Sequence, residues 1–263
     1  MLPIRLSVAT RHMNLPLMSA LQTAGKLGVK AVQLDVRNEL RSADLTETGR
    51  DHFRHQIGEQ LLSISAFEFP TRRAFYDQDA LDSRVTGLKA ALDFAYLMKT
   101  TTVVGRLGRI PDESDAAAYG LLIDVLNDIA RHSNRAGTTF AITPTVDSPA
   151  TVKRLFEQVV EGPIGLNLDI GGIVMSGNDP IAMYRANYDR VLAVQVRDGL
   201  RDIDGQGQEV PVGRGEARWD ELLATLHEGG YRGWMTITRS AGDDRIAEMA
   251  KAVKFVQTVG LGG

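Results

Sequence analysis

Eight short β-like runs alternate with helical stretches along the chain, and this alternation limits the fold more than any other feature. The runs cover residues 5–10, 30–36, 61–67, 101–106, 138–143, 164–169, 191–197 and 233–238. They are rich in Val, Ile, Leu and Thr, as strands covered on both faces should be. Between them, apolar residues recur three or four apart. Leu17, Leu21, Ala24 and Leu27 form one such face, and Leu81, Val85, Leu88, Leu92 and Ala95 another. Leu122, Val125 and Ile129, and then Leu222, Leu223 and Leu226, continue the pattern. Ser148-Pro149 and Asp179-Pro180 read as helix N-caps followed by Pro at the first helical position. Gly137 and the Gly229-Gly230 pair stand where helices should stop.

Parallel neighbours need a crossover, so strict alternation implies a parallel sheet. Eight repeats within 263 residues favour an α/β fold closed into a single (β/α)8 barrel, with residues 1–263 as one domain. An open dinucleotide-binding sheet is disfavoured, because no Gly-x-Gly-x-x-Gly follows the first run. The formal charge of −3 argues against a general nucleic-acid binder. The absence of Cys excludes disulfides and thiolate catalysis. No apolar run approaches the ~20 residues that a membrane span requires, so no membrane partner is expected and the cytoplasm is the default location.

In such a barrel the functional site lies at the C-terminal ends of the strands. Residues two apart on a strand share a face. Gln33 with Asp35, Asn167 with Asp169, Gln195 with Arg197 and Thr236 with Thr238 therefore give several strands one polar face. The intervening Leu34, Leu168, Val194, Val196, Met235 and Ile237 suit packing against helices. Polar side chains facing a barrel interior are costly unless hydrogen-bonded or wetted, so the repetition points to a solvated pocket.

The closing segment VPVGRGEARWDELLATLHEGGYRGWMTI, with its P-x-G-x-G and Gly-Tyr-x-Gly, resembles the last unit of the xylose isomerase-like TIM barrels. ALQTAGKLGVKAVQLDV resembles that family's opening unit, and GLNLDIGG and VQVRDG its sixth and seventh strands. The resemblance implies a TIM barrel related to sugar isomerases and epimerases. Members of the isomerase kind hold a divalent metal with Glu, Asp, His and Glu. At the matching positions this chain has Thr143, Asp169, Gln195 and Thr238. Gly172 stands where the His of an Asp-x-Gly-His signature would be, and Gln33 replaces a Glu of the second strand. A hard dication needs several anionic or strongly donating ligands. Only Asp169 is charged here, so neither a metal nor another cofactor is expected.

Arginines follow the strand ends at Arg11, Arg37, Arg72, Arg73, Arg106, Arg109, Arg197, Arg214 and Arg239. A guanidinium offers a fixed charge and a planar donor fork for carboxylate or phosphate. The ligand expected from these residues is a polyhydroxylated or anionic small molecule: a sugar, sugar acid or sugar phosphate. Arg106, Arg197 and Arg239 would hold its charge, and Thr143, Asn167, Asp169, Gln195 and Thr238 its hydroxyls. Arg197 and Asp169 stand on neighbouring runs, and a mutual ion pair is the competing use of both. Two alternatives stay open: a binding protein or pseudoenzyme that has lost the metal site, or a sugar isomerase, epimerase or lyase with a metal-independent or relocated site. For the second, Asp169, Glu68 and Asp35 are the candidate general bases. His12, His52, His55, His132 and His227 are read as lying away from the strand ends. A homo-oligomeric face is left open.

Overall fold

A computed structural model describes residues 4–201 and 207–261. Eight parallel strands close into a barrel. They are β1 (Arg5–Ala9), β2 (Ala31–Asp35), β3 (Ser63–Glu68), β4 (Thr102–Gly105), β5 (Thr139–Ile142), β6 (Ile164–Asp169), β7 (Val191–Val196) and β10 (Trp234–Ile237). The helices α1 (Leu17–Lys26), α2 (Glu47–Glu59), α3 (Leu81–Leu97), α4 (Ala116–Ala136), α5 (Pro149–Gln158), α8 (Trp219–Glu228) and α9 (Arg245–Leu261) cover its outside. The connection from β6 to β7 holds two helices, α6 (Ile170–Met175) and α7 (Pro180–Asn187). Each β-like run of the sequence becomes a barrel strand with ends that agree within two residues: β6 coincides with its run, β3 reaches one residue further to Glu68, and the others are shorter. Among the described residues, no helix is long and apolar enough to cross a membrane.

The local signals act as their chemistry requires. The Ser148 hydroxyl accepts from the Thr151 N–H at 3.1 Å, and an Asp179 carboxylate oxygen accepts from the Ile181 N–H at 2.8 Å. Each satisfies a donor left free by the helix start. Gly137 ends α4 with φ of 70°, a left-handed conformation that costs glycine little. One feature lies outside the sequence reading. After Arg197 the chain forms an antiparallel hairpin of β8 (Asp198–Leu200) and β9 (Gln208–Val210). Strands of three residues are too short to show a period. Asp202, which the sequence places just beyond the seventh run, falls outside the described residues.

The barrel has two interiors. Outward-facing Leu34, Leu168, Val194, Val196, Met235 and Ile237 join the large core between sheet and helices. Phe67 of β3 and Phe94 of α3 stack there at 5.1 Å. Each large apolar side chain so buried contributes about 1.5–3 kcal/mol. Inside the cylinder, Ala66, Val104, Ala141 and Ala193 form a separate small cluster, and the Ser7 and Thr236 hydroxyls bond at 2.6 Å. Barrels of this type usually fill that layer with bulky branched side chains. Small ones here leave room above them, at the strand C-terminal ends.

Candidate functional site

A cavity of about 240 Å³ opens at those ends. Arg106, Thr143, Asp169, Gln195, Arg197 and Thr238 border it, as does Glu68. Of the other residues singled out from the sequence, Asn167, Arg239 and Asp35 lie outside its lining. Asn167 is fully buried behind it and donates from Nδ2 to Thr143 Oγ1 at 2.9 Å. Asp35 closes the turn after β2. Its Oδ1 accepts from the Arg37 and Asn38 N–H groups at 2.8 and 3.0 Å, and its Oδ2 from Asn38 Nδ2 at 2.7 Å.

Charge alternates around the mouth. Asp169 Oδ1 caps α6 by accepting from the Gly172 N–H at 3.1 Å. Its Oδ2 accepts from Arg197 Nη1 at 2.8 Å, with Arg106 Nη2 3.9 Å away. The competing use foreseen for Asp169 and Arg197 is thus realised. A Cβ on Gly172 would fall 2.6 Å from Asp169 Oδ2 and from Thr145 Cγ2, so a side chain there would have to push both aside. Arg197 also donates from Nη2 to Glu209 Oε2 at 3.1 Å, and Asp169 chiefly holds its guanidinium pKa above the usual value. Burial works to raise the Glu209 carboxyl, but Arg197, the Ser240 donors and Arg239 outweigh it and leave its pKa lowered. Arg239 lies 3.3 Å from Glu209 Oε1 and donates from Nε to Glu248.

On the opposite wall Arg11 Nη1 sits 2.7 Å from Glu68 Oε1 and 3.3 Å from Asp35 Oδ2. Burial raises the Glu68 carboxyl pKa, and Arg11 works against it. Gln33 Nε2 donates to Glu68 Oε2 at 3.3 Å. The Thr238 hydroxyl is buried and has no hydrogen-bond partner among the described residues; the same holds for Asn167 Oδ1 and Arg197 Nε. No group of three His, Asp or Glu side chains able to hold a metal ion occurs among the described residues.

Two site residues escaped the sequence reading. His12, expected away from the strand ends, lies in a 3-10 turn (Thr10–Met13) directly after β1 and borders the cavity. Burial, then Arg11 and Arg197, lower its pKa to about 4, so the imidazole is neutral at pH 7. Its signal was its place three residues beyond the first strand. Glu209 stands on the unforeseen hairpin, and nothing local marks it. The segment that follows the hairpin, residues 213–219, is fixed by Asp198, which is fully buried. Its carboxylate accepts from the N–H groups of Gly199 (2.9 Å), Gly213 (2.9 Å), Gly215 (3.2 Å) and Ala217 (3.2 Å), and from Trp219 Nε1 (2.9 Å). That is the physical content of the P-x-G-x-G segment. It folds its amides around one carboxylate.

A sequence model described as xylose isomerase-like TIM barrel matches residues 21–259. The chain belongs to this family. Within it, the xylose isomerase domain protein from Planctomyces limnophilus shares 22% identity over 98% of this chain and 97% of its own, with a TM-score of 0.85. A xylose isomerase-like TIM barrel protein from Mycobacterium smegmatis, solved in complex with magnesium, shares 18% over 98% and 96%, with a TM-score of 0.75. D-psicose 3-epimerase from Clostridium cellulolyticum H10, solved with D-tagatose, shares 12% over 98% and 99%, with a TM-score of 0.77. At such identities the likeness establishes the fold of this xylose isomerase-like barrel. No curated protein matches the sequence.

Proposed function

We propose that the mouth cavity binds a polyhydroxylated or anionic small molecule, a sugar, sugar acid or sugar phosphate, without a divalent metal. The observation that carries this reading is the Arg197 guanidinium 2.8 Å from Asp169 Oδ2. A dication at Asp169 would have to displace that guanidinium. It would then face Arg106 as well, and the side chains that stand at the family's other three ligand positions, Thr143, Gln195 and Thr238, bring only neutral oxygens to offset its dehydration. The residues present do not fit such an ion. They do fit a ligand with hydroxyls and a negative charge: Arg106 and Arg197 as donors to an anion, and Thr143, Gln195 and Thr238 as partners for hydroxyls. A buried hydroxyl without a partner costs about 1–3 kcal/mol, and a ligand hydroxyl against Thr238 would remove that cost. The family's sugar-isomerase name and the neighbour solved with D-tagatose agree with a carbohydrate-like ligand.

Isothermal titration with D-gluconate in the presence of EDTA tests the reading. Affinity should survive chelation and fall about tenfold in Thr238→Val and Gln195→Leu, a loss typical of one hydrogen bond. Stoichiometric manganese, magnesium or zinc in the purified protein, with affinity lost on its removal, would refute it.

A second reading, metal-independent proton transfer, is favoured by one observation. Glu68, with a raised pKa, and neutral His12 border the same cavity. A carboxyl raised by burial and a neutral imidazole facing one cavity can protonate and deprotonate a bound carbonyl compound without a Lewis acid. Deuterium incorporation from D2O into a ketose, lost in Glu68→Gln, would establish it; its absence in the unmodified protein would count against it.

A further inference from the structure

The loops after β2 and β3 open a second cleft of about 650 Å³ beside the mouth. Five arginines border it, Arg11, Arg37, Arg72, Arg73 and Arg84, and no carboxylate does. This concentration of positive charge lies on a chain with a net charge of −3. Three of the five are engaged. Arg11 faces Glu68, Arg73 pairs with Asp77 and Asp79 at 2.9 and 2.8 Å, and Arg84 donates to the carbonyls of Ala74 and Asp79. Two have donors to spare. Arg37 lies over the Phe69 ring at 5.2 Å and uses only Nη1, on the Pro70 carbonyl at 3.1 Å. The exposed Arg72 side chain has no hydrogen-bond or ion-pair partner among the described residues.

The first turn of α3 supplies another wall through Ala80, Ser83 and Arg84. No side chain caps that helix start, although Asp82 stands in its first turn and the Leu81 N–H donates to the Gln78 carbonyl. The cleft also shares Arg11, Pro70 and Thr71 with the mouth cavity, which makes the two volumes neighbours.

We propose that this cleft takes the phosphate group of the ligand whose hydroxylated part occupies the mouth, which narrows the ligand class to a phosphorylated sugar or polyol. This rests on the mouth being a polyol site and adds its charged end. A planar guanidinium can grip two phosphate oxygens at once, and the Phe69 face and the Pro70 carbonyl help to orient the Arg37 fork before binding.

Titration calorimetry in low-salt buffer, with inorganic phosphate, D-gluconate and glucose 6-phosphate as separate probes, tests the proposal. Phosphate should bind in the low-millimolar range or tighter. The double variant Arg37→Ala/Arg72→Ala should weaken phosphate and glucose 6-phosphate at least about tenfold, because charge-assisted bonds are lost, with an unchanged Tm. Thr238→Val should leave phosphate alone while weakening D-gluconate and glucose 6-phosphate. Phosphate held equally well by the double variant, or not bound by the unmodified protein, overturns the cleft. So does glucose 6-phosphate that responds to Thr238→Val and ignores the two arginines. D-gluconate indifferent to Thr238→Val sinks the mouth reading instead, and leaves a phosphate result on the cleft standing.

Discussion

Asp198→Asn probes how the segment after the hairpin, residues 213–219, is held against β8 beside the mouth. The native carboxylate takes five donors: two on Oδ1, from Gly199 and Ala217, and three on Oδ2, from Gly213, Gly215 and Trp219. An asparagine keeps one acceptor oxygen. Its best orientation retains the three-donor side and turns an NH2 group toward the Gly199 and Ala217 amides, stranding both. Each stranded buried N–H costs about 1–3 kcal/mol, and the surviving bonds lose the roughly twofold strength of a charged acceptor. The sum is about 4 kcal/mol, or a Tm lower by about 10 °C for a domain of this size. Thermal unfolding followed by circular dichroism, against Asp189→Asn at a carboxylate that is 62% exposed, measures it. Because β9 carries Glu209, which holds Arg197 and Ser240, D-gluconate affinity should fall too. A Tm change no larger than the control's would refute the account of Asp198 as the anchor of residues 213–219.

Acid should destabilise the protein through His12. Its pKa is 6.5 unfolded and about 4 folded. Between those values the unfolded chain binds a proton that the native chain does not, so this contribution is intact above pH 6.5 and is lost as pH falls through 4. The gap corresponds to about 3 kcal/mol. Urea unfolding between pH 7 and 4.5 should show a shallower acid loss in His12→Gln than in the unmodified protein, and identical slopes would discard the assignment. Glu68 works in the opposite sense, since its raised pKa removes stability as pH climbs above 4.5. Gly215→Ala would place a Cβ 2.1 Å from Asp198 Oδ1 and 2.5 Å from the Gly199 carbonyl. It should cost about 3 kcal/mol by overpacking, measured by denaturant midpoint, and a neutral substitution would show that the loop can shift.

Much of the fold was legible because its signals are local. The β-like runs, the caps at Ser148 and Asp179 and the stop at Gly137 each depend on a few consecutive residues. The site was legible in part for the same reason. Alternation along a strand put Gln195, Thr238 and Asp169 on the inner face at the correct end, and the adjacency of two strands made the Arg197–Asp169 pair foreseeable. The same rule overreached at Asp35, which bonds back to its own turn, and at Asn167, which lies behind Thr143. Glu209 was not readable, since it arrives on a hairpin whose strands have three residues each, whereas His12 was passed over although it stands three residues beyond the first strand.

Sequence alone determined the number of βα units, their parallel order and the residue types at each strand end, because these follow from backbone periodicity and hydrogen-bond chemistry over a few residues. Tertiary structure decided the rest. It set the layer of Ala66, Val104, Ala141 and Ala193 inside the barrel, brought Glu209 onto Arg197 and Arg239, and opened the arginine cleft next to the mouth. Those features depend on side chains from different strands and loops meeting across a closed cylinder, and the barrel's closure, not any local pattern, fixes which of them touch.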